Sequence, residues 1–203
     1  MIMAMPRWDP RAEDRLREAA LELYLEHGYE NVTVAQITAR AGLTRRTFSR
    51  YFTDKRDVLF AGSQQLPGAL CDAVLHADDA LSPFGALLFA LVDIGELLAG
   101  RVPRAAQRRA VIKGRLELQE RERTKLAAVT DALAGALAQR GVAESGADLL
   151  ARVGVAIFQT AFERWTDQPE HASFSACVRE ATAELAASLG AVDIPALPGR
   201  VRS

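Results

Sequence analysis

The chain has 203 residues, of which 49% are hydrophobic and 25% are charged, with 25 basic residues against 26 acidic ones. A chain of this length and composition can bury a hydrophobic core, which excludes a mostly disordered chain. The longest apolar run, residues 86–92, is far shorter than the ~18 residues that a membrane helix needs. No signal peptide is visible, and Cys71 and Cys177 are too few for a disulfide framework. We therefore expect a cytoplasmic protein without a membrane segment.

The first predicted helix starts near Asp9 and Pro10. Aspartate favours the N-cap of a helix and proline its first turn, and apolar residues over 16–24 then follow helical spacing. Gly28 predicts the end of this helix, because glycine adopts the left-handed cap conformation at little cost. Residues 1–8, which precede the start signal, are expected to be disordered.

Two short helices follow, with a tight turn between them. Thr33 and Gln36 have the spacing of a capping box, which predicts a helix over 34–41. Thr44 can cap the next helix, over 45–52, after a three-residue turn that begins with glycine. Two short helices joined in this way form a helix-turn-helix, whose second helix enters the major groove of DNA.

The charge of this segment supports contact with a polyanion. Residues 31–56 contain six basic residues and a single acidic one, a net charge of +5. If Phe48 and Phe52 face the core, arginines and hydroxyls of the second helix face outward, where arginine suits guanine and hydroxyls suit phosphate. A second basic stretch, 101–125, is interpreted as a solvated helix face because its leucines have helical spacing. The predicted DNA-binding residues are Thr33, Thr44, Arg45, Arg46, Thr47, Ser49, Arg50, Tyr51 and Lys55.

The rest of the chain is also predicted to be helical. A fourth helix opens at Asp54, and Pro67 is expected to kink or break it near 66–68, because an interior proline costs ~3 kcal/mol. The tail 191–203 contains two prolines and a glycine and is expected to be disordered. Further helices are predicted over 82–100, 113–140, 146–167 and 172–189, with a short one that starts at 102–103.

An ordered set of segments over residues 16–60 resembles the N-terminal domain of TetR-type transcriptional repressors. Ser49 differs from that family, which often has a tyrosine there that contacts the DNA backbone. The segments are Leu16-Arg17-Glu18-Ala19-Ala20-Leu21-Glu22-Leu23-Tyr24, Gly28-Tyr29, Thr33-Val34-Ala35-Gln36-Ile37, Ala41-Gly42-Leu43-Thr44, Thr47-Phe48-Ser49-Arg50-Tyr51-Phe52 and Lys55-Arg56-Asp57-Val58-Leu59.

The resemblance implies an all-α fold of about nine helices. A three-helix helix-turn-helix domain would cover 9–54, and a helical effector-binding and dimerisation domain would cover 55–190. The protein would be a homodimeric repressor on a pseudo-palindromic operator, with half-sites ~34–36 Å apart. A small effector would bind among the helices that span 55–165, tilt the fourth helix and release the DNA.

Two sets of residues are candidates for these functions in the C-terminal domain. The effector candidates are apolar, which predicts a largely apolar small molecule, and the dimer candidates lie on the apolar stripes of the last two helices. The effector candidates are Phe84, Leu88, Phe89, Phe158, Phe162 and Trp165. The dimer candidates are Val153, Ile157, Ala161, Val178, Ala181 and Leu185.

Two other classes of protein are alternatives. An enzyme is not expected, because the sequence has no Walker loop, no dinucleotide-binding glycine motif and no nucleophile elbow. No cofactor and no metal are expected either, since the histidines and cysteines lack metal-ligand spacing. A helical adaptor that has lost DNA recognition is the second alternative, and Ser49 favours it. Salt-dependent DNA binding distinguishes a regulator from both.

Overall fold

The computed structural model describes residues 11–101, 104–167 and 173–190. Over these ranges the chain forms α-helices and short 3-10 turns and no β-strand, so the predicted all-α class is confirmed. The start signal at Asp9 and Pro10 and the segments predicted to be disordered lie outside the described residues. The helices are α1 Ala12–His27, α2 Val34–Arg40, α3 Arg45–Tyr51, α4 Leu66–Leu75, α5 Pro83–Arg101, α6 Ala105–Lys113, α7 Leu116–Gln139, α8 Glu144–Asp167 and α9 Phe174–Gly190.

The chain divides into two compact units. The first consists of residues up to 69 together with 102–132, and the second of 70–101 together with the residues from 133 onward. Helices α1–α3 and α6 belong to the first unit, in which α6 packs against α1. The first unit thus contains residues on both sides of the division predicted at residue 54, and that division stays a prediction. Within the described ranges, no helix has the length and apolar character that crossing a membrane requires.

The caps of α2 and α3 have the geometry that the sequence predicts. The backbone N–H of Thr33 donates to Oε1 of Gln36 at 2.8 Å, and the N–H of Gln36 donates to the Thr33 hydroxyl at 3.3 Å. The Thr44 hydroxyl accepts from the N–H of Thr47 at 3.1 Å. In the turn between the helices, Gly42 has a φ of +63°, which glycine adopts without a side-chain clash. These bonds satisfy helix-start amides and fix where both helices begin.

The fourth helix starts at Leu66 instead of Asp54, so the prediction of its start is wrong. Two 3-10 turns, Asp57–Phe60 and Ser63–Gln65, occupy the interval. The carboxylate of Asp54 accepts from the backbone N–H groups of Arg56 and Asp57 and starts no α-helix. Gly62 has a φ of +74° between them, which interrupts the helical path of the backbone.

Contacts at the two ends of α4 explain where this helix begins and ends. Pro67 is the second residue of the helix, where a missing N–H removes no helical hydrogen bond. Proline therefore stands in the first turn and does not kink α4, and the interruption of the helical path lies before Leu66. At the other end, the Arg140 guanidinium donates to the carbonyls of Val74 at 3.2 Å, Ala77 at 2.8 Å and Asp78 at 2.9 Å. Arginine thus satisfies carbonyls that the end of a helix leaves without intrahelical partners.

Helices of the second unit approach one another closely at glycines. Helix α5 packs against α8 and α9, and α8 packs against α9. A Cβ atom on Gly95 of α5 would overlap the ring of Phe174, which is buried on α9. A Cβ atom on Gly154 of α8 would lie 2.8 Å from Cδ2 of Leu87 on α5. A larger residue at either glycine therefore requires the opposing side chain to move.

We expect Gly95→Ala to lower the free energy of unfolding by about 1–3 kcal/mol, because the new methyl group displaces the buried ring of Phe174. Gly135→Ala is the matched control, since no described atom outside its own helix backbone lies within 4 Å of a Cβ built there. In α7 this change should raise the free energy of unfolding by about 0.5–1 kcal/mol. Urea denaturation measures both values. Equal stabilities of the two variants would contradict the close packing at Gly95.

Candidate nucleic-acid interface

Helix α3 has a buried face and an exposed face. Phe48 and Phe52 are 2% and 5% exposed and belong to the core of the first unit, with ring centroids 5.4 Å apart. On the remaining surface of the helix, Thr47 and Tyr51 are half-buried. The orientation predicted from helical spacing is therefore confirmed, while DNA contact itself stays a prediction. The exposed residues are Arg45, Arg46, Ser49 and Arg50.

Two of the six basic residues in 31–56 are neutralised by carboxylates of the same unit. Arg40 binds Glu26 through two hydrogen bonds, of 2.7 and 3.0 Å. This bonding lowers the pKa of Glu26 below its ordinary value, so the carboxylate stays charged opposite the arginine. Nε of Arg56 donates to Asp54 at 2.8 Å. These two arginines therefore add little to the positive field that a DNA phosphate would meet.

The ammonium group of Lys55 joins two loops of the first unit. Its Nζ donates to the carbonyls of Tyr29 at 2.8 Å, Glu30 at 3.2 Å and Val32 at 3.0 Å. These bonds use all three protons of the ammonium group. The Lys55 carbonyl accepts the hydroxyl proton of Tyr24 at 2.6 Å, and burial raises the pKa of that hydroxyl, which keeps the proton in place. Lys55 thus has a structural function that the sequence reasoning missed, and its contact with phosphate stays a prediction.

The arginines of α3 keep their positive charge. In the part of the chain that the structure describes, no carboxylate or other acceptor pairs with Arg45 or Arg46. Arg50 donates to the Tyr51 hydroxyl at 3.0 Å, and its guanidinium lies 4.8 Å from the centroid of that ring. Neither contact cancels its charge, and residues 33–52 contain no aspartate or glutamate. The unneutralised charge of this segment is therefore concentrated on the exposed face of α3.

The hydroxyls of Thr33 and Thr44 are occupied by their helix caps. Besides accepting a backbone N–H, the Thr33 hydroxyl donates to Oε1 of Gln36 at 2.8 Å. The Thr44 hydroxyl lies 3.0 Å from the hydroxyl of Thr47. A phosphate contact by Thr33 would have to replace its bond to Gln36, whereas the proton of Thr44 stays available to a phosphate when Thr47 donates in their shared bond. Both contacts stay predictions.

The second basic stretch, 101–125, is not a uniformly solvated helix face. Three of its arginines contact residues of the first unit that lie far away in sequence, and the interpretation is wrong for the half-buried Arg108, while Arg115 and Arg121 remain 43% and 38% exposed. They connect α6 and the first part of α7 to the loops around α1 and α3. The contacts are Arg108 Nε to the carbonyl of Leu59, Arg115 to Glu30 at 3.4 Å, and Arg121 to Asp57.

Three of the six predicted effector residues form an aromatic cluster in the second unit. Phe158 and Phe162 stack with ring centroids 6.2 Å apart, and Phe162 lies 5.8 Å from Trp165. Phe174 of α9 completes the cluster, 5.3 Å from Phe158. Sequence reasoning assigned Phe174 only to the buried stripe of its helix, because the pairing of α8 with α9 is not visible in the sequence. The other three predicted residues lie on α5, where Phe84 and Leu88 are half-buried and Phe89 is 50% exposed.

An open groove of about 400 Å³ lies in the first unit and is lined by parts of α1 and α2. Its charged lining consists of two arginines and two glutamates, so it is nearly neutral and polar. Arg15 crosses it to donate to the carbonyl of Ala41. None of the six predicted effector residues lines this groove, and its chemistry does not suit an apolar molecule. The charged residues are Arg15, Glu18, Glu22 and Arg40.

The structure corrects the residues predicted for a dimer interface. Ile157, Ala161, Val178 and Ala181 are buried within the single chain. Their side chains therefore have no surface left for a second copy. Sequence reasoning placed them at the interface because an apolar stripe does not show whether it faces the same chain or another. Of the six, Val153 and Leu185 are half-buried, and the same helices expose Leu149 and Leu189, each at 62%.

Two family models match the chain. The model described as bacterial regulatory proteins of the tetR family matches residues 16–61, which contain α2 and α3. The model described as the MftR C-terminal domain matches residues 81–190, which contain α5 to α9 and make up more than half of the chain.

Relatives and solved structures agree with these matches. The HTH-type transcriptional regulator BetI of Escherichia coli (strain K12 / DH10B) is 40% identical over 67 residues, which span 33% of this chain and only 34% of BetI. The structure of the SmeT-triclosan complex is 18% identical and has a TM-score of 0.60, covering 95% of this chain and 97% of SmeT. FadR of Bacillus subtilis with stearoyl-CoA is 20% identical and has a TM-score of 0.59, covering 85% and 96%. The two structures share the fold alone, and the matched family models show that this chain belongs to the TetR family of bacterial regulatory proteins.

Proposed function

We propose that this protein is a repressor that a small, largely apolar effector releases from a pseudo-palindromic operator. The observation that carries the proposal is the group of exposed arginines on α3, Arg45, Arg46 and Arg50, which no carboxylate of the described chain neutralises. Phe48 and Phe52 anchor the opposite face of the helix in the core. A helix held in this way can enter the major groove with its arginines toward the bases.

The side chains of α3 suit two kinds of contact. Arginine binds O6 and N7 of guanine through two parallel hydrogen bonds, so Arg46 and Arg50 are the candidates for base recognition. The hydroxyls of Thr47, Ser49 and Tyr51 suit phosphate oxygens, which fix the register of the protein on the duplex. Ser49 has a shorter reach than the tyrosine that is frequent in the family. A water-mediated contact supplies the same hydrogen bond over a longer distance.

A two-fold dimer matches a pseudo-palindromic operator. The exposed apolar residues of α8 and α9 are Leu149 and Leu189, and Val153 and Leu185 of the same helices are half-buried. We assign the dimer interface to this outer surface instead of the buried stripe. A two-fold dimer would present two copies of α3 to half-sites ~34–36 Å apart.

The aromatic cluster of the second unit supports an apolar effector. Phe158, Phe162 and Trp165 are half-buried, so part of each ring stays available to a ligand. SmeT and FadR, which share the fold, form complexes with triclosan and with stearoyl-CoA, and both of these molecules contain large apolar groups. An effector here must bind the DNA-released state more tightly than the DNA-bound state. A difference of ~1–3 kcal/mol is typical of such coupling.

Selection of bound sequences from a random DNA pool tests the proposal. We expect the purified protein, at stated salt, to enrich a pseudo-palindrome with half-site centres ~10–10.5 base pairs apart, or a multiple of that. The variant that carries Arg45→Ala, Arg46→Ala and Arg50→Ala should enrich nothing. Protein that has been refolded to remove any bound ligand, and that is dimeric but enriches no sequence, would contradict the proposal.

Arg46→Ala should lower affinity for the selected operator by about 1–3 kcal/mol and relax the preference at one base position, if Arg46 binds a guanine through two hydrogen bonds. Arg40→Ala is the control, because it removes the same charge from the same segment but from an arginine that Glu26 neutralises. Binding titrations on the operator and on single-base variants measure both effects. A uniform loss across all sequences in both variants would remove Arg46 from base recognition.

Lys55→Met should lower the free energy of unfolding by about 2 kcal/mol, because it leaves three backbone carbonyls without a charged donor. Urea denaturation measures this loss, and the salt dependence of operator binding should change little. The opposite result, an unchanged stability with the salt slope reduced by ~1, would assign Lys55 to a DNA phosphate.

A further inference from the structure

The carboxylate of Asp57 joins the chain that follows α3 to helix α7. Its Oδ2 accepts the backbone N–H of Thr53 at 2.9 Å, and Thr53 follows the last residue of α3 by two positions. Its Oδ1 pairs with the guanidinium group of Arg121 on α7. The Asp57 side chain is only 15% exposed, so the carboxylate is mostly withdrawn from water. The two oxygens of one carboxylate therefore hold two different segments of the first unit.

Both members of this ion pair are held by other contacts. The backbone N–H of Asp57 donates to Oδ1 of Asp54 at 3.1 Å, which fixes the backbone of the turn. The guanidinium carbon of Arg121 lies 5.7 Å from the ring centroid of Phe60, and that ring is buried. A guanidinium held against an aromatic ring loses less freedom when it pairs with a carboxylate. The pair of Asp57 and Arg121 therefore differs from an ion pair between two freely moving side chains, which contributes little.

Helix α3 depends on its surroundings for its position. It has seven residues, Arg45–Tyr51, and an isolated helix shorter than ~12 residues is marginal in water. Phe48 and Phe52 anchor one face of α3 in the core, close to its C-terminal end. The bond from Thr53 to Asp57 holds the chain directly after these anchors. The direction in which α3 points its exposed arginines is therefore set by the core on one side and by the Asp57 carboxylate at the end.

We infer that Asp57 and Arg121 are positioning residues for operator binding, and that their pair holds α3 in the position that reads the bases. The inference rests on the proposed function, since it names what fixes the candidate DNA-binding helix. A different position of α3 would pull Thr53 away from the carboxylate or the carboxylate away from Arg121. Binding has to order whatever the free protein leaves mobile, so a helix that is already held binds DNA at a smaller entropic cost.

Two neighbouring contacts of α6 and α7 differ from this one. Arg115 lies 3.4 Å from Glu30, but the two side chains are 43% and 60% exposed, and ion pairs of such exposure contribute little. Arg108 donates to the carbonyl of Leu59, which lies inside the turn. The carboxylate of Asp57, in contrast, bonds both α7 and the chain after α3. We therefore assign the positioning function to Asp57 and its partner on α7.

Binding of Asp57→Asn to the selected operator tests the inference by the sign of the effect. The amide offers one oxygen where the structure uses two, so it cannot keep both bonds as they are. The change also removes one negative charge, and by electrostatics alone it would tighten binding to DNA. We expect the opposite, a loss of affinity by about 5–20-fold, because α3 is no longer held. Unchanged or tighter binding by this variant would overturn the inference.

Variants of Arg121 test the other side of the pair. Arg121→Met should weaken operator binding by a similar factor, since methionine keeps an apolar side chain near Phe60 but cannot pair with Asp57. Arg121→Lys, which keeps the charge, should restore part of the affinity. Arg123→Met is the matched control on the same helix, because Arg123 is 61% exposed and lies 3.7 Å from Glu120. Equal losses in the two methionine variants would reduce the effect to net charge and contradict the inference.

Amide hydrogen exchange, measured by NMR without DNA, separates a local effect from a loss of stability. In Arg121→Met the Thr53 amide should exchange about fivefold faster or more, because its acceptor Asp57 is no longer held. The neighbouring Phe52 amide, which donates to the carbonyl of Phe48 at 2.9 Å, should keep its wild-type rate.

The outcomes of this measurement are distinct from those of operator binding. An unchanged rate at Thr53, or equal acceleration at Thr53 and Phe52, would overturn the positioning function of the pair. A wild-type protein that selects no operator would contradict the proposed function instead, and the exchange rates would still decide whether α7 holds the end of α3.

Discussion

The three hydrogen bonds of the Lys55 ammonium group are the interaction on which the geometry of the candidate DNA-binding helices depends. They bring the turn after α3 against the carbonyls of Tyr29, Glu30 and Val32, which precede α2. The hydroxyl of Tyr24 binds the Lys55 carbonyl from α1. One residue therefore connects the end of α1, the start of α2 and the end of α3. Because a charged donor inside a partly buried loop is costly to leave unpaired, any rearrangement of these helices has to break the three bonds together.

This arrangement also determines which positive charges of residues 31–56 are neutralised inside the protein. Arg40 is bound by Glu26 of α1, Arg56 is bound by Asp54, and Lys55 is bound by carbonyls. The net charge of +5 over residues 31–56 is therefore a poor measure of the field outside the protein. What remains is the arginine face of α3. Since long-range attraction to DNA depends on unneutralised charge, the internal pairing concentrates attraction on the helix that also has the shape to enter the groove.

Local sequence predicted those parts of the structure that depend on nearby residues. The capping box at Thr33 and the cap at Thr44 involve partners only three residues away, so their geometry followed from spacing. The fourth helix was predicted twelve residues too early, because nothing near Asp54 shows that Gly62 adopts a positive φ and ends the helical path. The contacts of Arg108, Arg115 and Arg121 involve residues from the other end of the first unit, and only the fold brings them together. Ile157 and Val178, which are buried within the chain, were assigned to a dimer interface for the same reason. Periodicity identifies the apolar face of a helix but does not show whether that face packs against the same chain or a second copy.

The segment Asp57–Phe60 connects α6 and α7 with the helices of the candidate DNA-binding site. Arg108 holds the carbonyl of Leu59, Arg121 holds Asp57, and both guanidinium groups lie against the ring of Phe60. The segment begins two residues after Lys55, whose bonds position α2 and α3. A ligand changes an operator equilibrium only by its difference in affinity for the two states. The segment Asp57–Phe60 therefore affects operator binding only if its contacts with Arg108 and Arg121 differ between the DNA-bound and the DNA-released state.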